Sequence, residues 1–150
     1  MRILGLDYGE KRIGVALCDE LGLTAQSLTT IIHKSWRRDV ESVAALVATY
    51  GVETIVVGYP LRLDGTEGIQ CEKVARFVHR LEASLGIPVV LWDETLTTKE
   101  AEEILFRSGV PPKKRKAVVD SLAASLILQS YLDAFSKEKR SPDAEVEKCS

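Results

Sequence analysis

Apolar and polar residues along the chain change their period near residue 35. Before it, residues 2–8 (RILGLDY) form a short apolar run that ends in Asp7, Tyr8 and Gly9. A tight polar turn leads to a second run at 12–18 (RIGVALC), and a weaker β-prone stretch follows at 23–32. Short turns between short runs predict an antiparallel meander. After it, Val40, Val43, Ala44, Val47 and Tyr50 recur at helical spacing within 36–50. Residues 53–58 (ETIVVG) read as a buried strand, Val74, Phe77, Val78, Leu81 and Leu85 mark one helix face, and 87–92 (IPVVLW) is another strand. Thr97 and Glu100 form a capping box for a helix through Arg107, which Pro111-Pro112 breaks before a helix over about 117–135. A meander followed by strand–helix alternation predicts an α/β fold. Its mixed five-stranded sheet has three antiparallel strands, then two parallel, with helices on both faces.

The same pattern suggests where chemistry sits. Asp7 ends the first strand, Gly58-Tyr59-Pro60 the fourth, and Asp93-Glu94 the fifth. Parallel strands bring such ends to one edge, where open α/β sheets bind ligands. On the last helix Asp120, Ala124, Ile127, Leu128 and Tyr131 share a face, which turns Asp120 toward the sheet near that edge. Asp7, Glu94 and Asp120 then converge. Crowded carboxylates repel one another, and a hard divalent cation such as magnesium or manganese relieves this. Two such ions about 4 Å apart suit phosphodiester hydrolysis. Each acid also has a plain reading: Asp7 begins a turn with Gly9, Glu94 is a polar strand end, and Asp120 favours the helix macrodipole. Three acids at one edge favour a site.

Composition narrows the classes. The chain has 150 residues, 45% hydrophobic and 28% charged, enough for one packed domain. That domain is expected over 1–135. The tail at 136–150 carries four Lys/Arg against four Asp/Glu and has little to bury. A formal charge of −2 argues against a generic nucleic-acid coat. Local clusters remain: Lys113-Lys114-Arg115-Lys116 before Asp120, Lys11 and Arg12 in the first hairpin, and Arg62 after Pro60. They are candidate phosphate contacts, with solvated loops as the plain alternative. Cys18, Cys71 and Cys149 are far apart and lack a CxxC pair, so reduced thiols are expected. His33 and His79 read as ordinary surface residues, and Trp36 and Trp92 as core or helix-edge packing. No apolar run approaches the roughly 20 residues of a membrane span, and the N-terminus meets charge too early for a signal peptide. A cytoplasmic protein without a membrane partner is expected.

Residues 7–16 (DYGEKRIGVA), 56–66 (VVGYPLRLDGT), 92–98 (WDETLTT) and 118–135 (VVDSLAASLILQSYLDAF) resemble the YqgF family of Holliday junction resolvase-like proteins. The resemblance implies the RNase H-like fold of the RuvC resolvases and, in bacterial members, nuclease action at the 5′ end of pre-16S rRNA. It places the catalytic acids on Asp7, Glu94 and Asp120. The family reads DER at 93–95, whereas Thr95 stands here in place of the arginine, removing a bidentate phosphate contact. The expected function is therefore a metal-dependent nuclease acting on pre-rRNA as a monomer or homodimer. The alternatives are a homodimeric resolvase of DNA junctions and a non-catalytic nucleic-acid-binding module.

Overall fold

The computed structural model describes residues 2–9, 11–59, 69–93, 107, 109 and 121–134. Its elements run β1 (Arg2–Tyr8), β2 (Arg12–Cys18), β3 (Ala25–Ile32), α1 (Trp36–Tyr50), β4 (Val52–Tyr59), α2 (Ile69–Leu85) and β5 (Val89–Asp93), followed by α3 at 121–134. The strands form one sheet in the order β3-β2-β1-β4-β5. β1 pairs antiparallel with β2, and β2 with β3, while β1–β4 and β4–β5 are parallel. The predicted helix from Thr97, apart from its last residue Arg107, and the stretch 60–68, the Pro111-Pro112 break and the tail at 136–150 lie outside the described residues.

Alternation along the strands sorts side chains between two cores. Leu4 and Leu6 of β1, Ile13, Val15 and Leu17 of β2, and Ile55 and Val57 of β4 face α1 and α2. There they meet Val40 and Val43 of α1 and Val74, Phe77, Val78 and Leu81 of α2, the residues whose helical spacing marked those faces. Ile3, Ala16, Cys18 and Val56 point the other way, onto Ala124, Ile127, Leu128 and Leu132 of α3. Helices cover both faces of the sheet, as the change of period predicts.

Three strands differ from the sequence reading: β4 runs one residue longer at each end, Val52–Tyr59 against 53–58, and β3 and β5 start later, each for a local reason. β3 begins at Ala25, not at 23, because Asp19 Oδ1 accepts hydrogen bonds from Leu23 N (2.7 Å) and Thr24 N (3.3 Å). That Asx-type turn takes both amides out of the ladder. β5 begins at Val89, since Pro88 has no N–H to give, although its carbonyl accepts from Ile55 N at 3.0 Å. α1 starts and stops on its caps. Ser35 Oγ accepts from Arg38 N, and Gly51 at φ 64 closes the helix with its N–H on Val47 O.

Candidate active site

Asp7 sits at the carboxyl end of the central strand and is 8% exposed. Parallel pairing sets Leu6 beside Val57, Gly58 beside Trp92 and Tyr59 beside Asp93, so β1, β4 and β5 end at one edge of the sheet. By the two-residue period, Asp7 shares the face of Ile3 and Gly5, the face that α3 covers.

The direction of α3 follows from two contacts. A Cβ built on Gly5 would lie 2.8 Å from Leu128 Cβ and 3.1 Å from Ala124 O, so helix and strand nearly touch there. Further along, Gln129 Nε2 donates to Leu23 O (3.0 Å) and its Oε1 accepts from Ala25 N (2.9 Å), at the opposite edge. α3 therefore runs away from the Asp7 edge, and its amino end at Ser121 lies toward that edge. Asp93, the last residue of β5, and Ser121, the first described residue of α3, flank Glu94 and Asp120 in the sequence; these two acids lie outside the described residues. Asp7 is thus the one predicted ligand among the described residues, within which no three His, Cys, Asp or Glu side chains cluster. A buried carboxylate at a strand end is a hard oxygen donor of the kind magnesium or manganese takes.

The turn after Asp7 is held from several sides. Gly9 N donates to Arg12 O at 2.9 Å, and a Cβ on Gly9 would stand 2.8 Å from that oxygen, which restricts the position to glycine. His33 N donates to Lys11 O at 3.0 Å. The His33 ring spans from Gly9 O (Nε2, 2.7 Å) to Asp39 Oδ2 (Nδ1, 2.7 Å), while Asp39 Oδ1 accepts from Lys34 N at 3.2 Å. The ring thus bridges the turn to Asp39 of α1 through its two nitrogens. Asp39 is 4% exposed, and His33 stacks edge-on against Tyr8 at 4.8 Å. His33 is thus no ordinary surface histidine, as the sequence had suggested; it joins the turn beside Asp7 to α1. Its partners lie 24 and 6 positions away in sequence, which no local pattern displays. Burial first, and then the charge of Asp39, raise the Tyr8 pKa, while Arg80 opposes them.

Of the predicted phosphate contacts, Lys11 is exposed in this turn and Arg12 is half-buried at the start of β2, both at the Asp7 edge. Arg62, Lys113, Lys114, Arg115 and Lys116 lie outside the described residues. Trp92 packs at the helix edge as expected, with Nε1 donating to Ser130 Oγ at 3.1 Å and its ring 5.3 Å from Tyr131. Trp36 begins α1 and is 42% exposed. Cys18 is buried, with Sγ accepting from Ile3 N at 3.0 Å.

The family model for RuvX, described as Holliday junction resolvase, matches residues 1–134. The chain belongs to the RuvX family. This is the family that the four motifs resemble under the name YqgF, a family of nucleases. A Syntrophus aciditrophicus protein named "Putative pre-16S rRNA nuclease" is 81% identical over 144 residues, covering 96% of each chain. A Halothermothrix orenii protein of the same name is 50% identical over 137 residues, 91% of this chain and 98% of its own. Among solved structures, Thermus thermophilus RuvC in complex with a Holliday junction substrate matches with a TM-score of 0.57 at 19% identity, over 91% of this chain and 96% of that one. The fowlpox virus resolvase bound to junction DNA matches at 0.53 and 16% identity, over 90% and 99%. These neighbours share the RuvX chain's fold, the RNase H-like architecture expected from the motifs. No helix among the described residues is long and apolar enough to cross a membrane.

Proposed function

We propose that this RuvX protein is a cytoplasmic, divalent-metal-dependent nuclease that cuts phosphodiester bonds of structured RNA at the 5′ end of pre-16S rRNA. The observation that carries the reading is the buried Asp7 carboxylate at the carboxyl end of the central strand. Around it, β5 ends and the described part of α3 starts toward the same edge, one residue short of Glu94 and one residue after Asp120 in the sequence. Asp7, Glu94 and Asp120 are the residues that would hold magnesium or manganese. When bound, such ions supply an activated water and charge stabilisation for the leaving oxygen.

The chain's own groups bind and orient. Asp7, ending a strand packed on both faces, fixes one carboxylate without the entropy cost of ordering a loop. Lys11 and Arg12 meet phosphate beside it, and Arg62 and the Lys113–Lys116 run guide the backbone toward it. The substrate assignment draws on the names of the close relatives.

The test is a cleavage assay with magnesium or manganese on a pre-16S rRNA fragment and a four-way DNA junction, side by side, with a chelator control. RNA cleavage that disappears with chelator and in Asp7→Asn is expected. Cleavage of the junction alone would move the reading to a resolvase acting as a homodimer across the junction's two-fold axis. No cleavage of either, with retained binding, would leave a nucleic-acid-binding module.

A further inference from the structure

Trp36 opens α1 with 42% of its surface exposed, high for so large an aromatic. Arg80 of α2 sets its guanidinium carbon 4.4 Å from the indole centroid, and Arg37 lies 5.3 Å away. Lys34, Arg38, Lys73 and Arg76 are exposed on the same stretches of chain. Lys73, Arg76 and Arg80 recur at i, i+3 and i+7, which makes them one stripe along α2. Against these cations, the segments 34–41 and 72–80 expose only Glu41 and Glu72; Asp39 is buried under His33. In a chain of net charge −2, this is segregation of charge rather than composition.

The patch also lies close to the Asp7 edge. Tyr8, the neighbour of Asp7, packs its ring 4.7 Å from Phe77 of α2 and 4.8 Å from His33, three residues before Trp36. Asp7 faces α3 and the patch lies on the α1–α2 side, so a strand that touches both crosses the sheet edge. An exposed indole among guanidinium groups, with lysines around it, is the combination that holds single-stranded nucleic acid: a base stacks and the flanking phosphates are neutralised.

We propose that Trp36, with Arg37 and Arg80, is a docking platform for a single-stranded flank of the substrate whose scissile bond lies at Asp7. This deepens the nuclease reading and rests on it for the substrate class. The competing structural role is a cation–π contact that only ties α1 to α2.

The test uses the full chain in a Trp92→Phe background, so that Trp36 is the sole indole, with chelator present to prevent cleavage. The probes are a 12-nucleotide oligouridylate, the DNA strand of the same length and a blunt RNA duplex. Trp36 emission is expected to quench saturably with both single strands and far less with the duplex. Trp36→Leu should weaken oligouridylate binding about 5- to 150-fold, the worth of one stacked base, and Trp36→Phe should restore most of it. Lys73→Gln with Arg76→Gln should flatten the slope of log affinity against log salt by about 0.7 per cation removed. On a substrate with a single-stranded flank, Trp36→Leu should raise KM and leave kcat unchanged, as loss of uniform binding does. Unmoved Trp36 emission, or a Trp36→Leu protein with parental melting temperature, affinity and KM, overturns the platform and leaves the nuclease standing. Binding through Trp36 by a protein that cuts nothing upholds the platform and sinks the nuclease.

Discussion

Gly5→Ala tests how closely α3 is held to the strand that carries Asp7. The added methyl would meet Leu128 Cβ at 2.8 Å, Ala124 O at 3.1 Å and Leu128 Cδ2 at 3.4 Å. Favourable carbon contacts lie near 3.5–4.0 Å, so α3 must retreat by roughly an ångström or β1 must bend. Leu128 and Ala124 are fully buried, and neither has solvent to move into. Overpacking of this kind costs about 1–3 kcal/mol. Replacing glycine returns about 0.5–1 kcal/mol by restricting the unfolded chain. The net loss of about 1–2 kcal/mol should lower the thermal midpoint by roughly 2–8 °C, at about 2–4 °C per kcal/mol for a domain of this size. Leu128→Ala alone should cost about 2–5 kcal/mol. Combined with Gly5→Ala, the new methyl enters the vacated space, and the double variant should be more stable than the sum of the two by about 1 kcal/mol or more. Asp7 lies two residues further along the same face, so the displaced helix should also lower kcat at least about tenfold, well below the melting range. A Gly5→Ala protein as stable as the parent, with additive behaviour in the cycle, would refute the close seating of α3.

Other expectations rest on the groups around Tyr8. Removing the imidazole in His33→Ala leaves the buried Asp39 carboxylate short of a partner and unpins the turn at Gly9. The expected cost is about 2–4 kcal/mol in urea unfolding, and a loss under about 0.5 kcal/mol would show that the bridge does not hold the turn. Because the Tyr8 pKa lies above its ordinary 10.0, the fold favours the neutral phenol. That stability is fully present below pH 10 and is lost as pH rises through the folded value. Alkaline unfolding should therefore be shallower in Tyr8→Phe, and identical profiles would refute it. Asp19 titrates below its ordinary 3.8, chiefly through the Leu23 N–H. Its contribution should be present above that value and disappear as pH falls through the folded one, loosening the β2–β3 turn in amide exchange, with no such change in Asp19→Ala.

Elements with a clean period were legible in the sequence, and those set by distant partners were not. The residue pattern alone places β1, β2 and α1 on their observed limits, since each is a short run or an amphipathic face bounded by polar residues or caps. β3 and β5 shift because single atoms intervene: the Asp19 carboxylate captures two amides, and Pro88 lacks one. At the site, Asp7 is visible as a carboxylate closing an apolar strand. The His33–Asp39 bridge is not, because a histidine beside Lys34 and Ser35 reads as surface until β3 and α1 bring it over Gly9. Trp36 reads as core or helix-edge packing, and it stands at the edge of α1 with Arg80 of α2 over its ring. Hydropathy marks it as apolar, whereas its exposure depends on where α1 begins.

Gln129 reaches across 104 positions to Ala25 and 106 to Leu23, and this separation bears on when the molecule becomes active. At roughly 5–20 residues per second, a ribosome that has made β3 needs about 5–20 s more to make α3. During that interval Ile3, Ala16, Cys18 and, once β4 is made, Val56 lack the α3 side chains that cover them. The nascent chain is then a partial fold in need of protection from aggregation. If Asp120 serves the site as proposed, it is also unable to cut, because its third acid has not been made. Synthesis itself withholds the activity until the residues of α3 have been made.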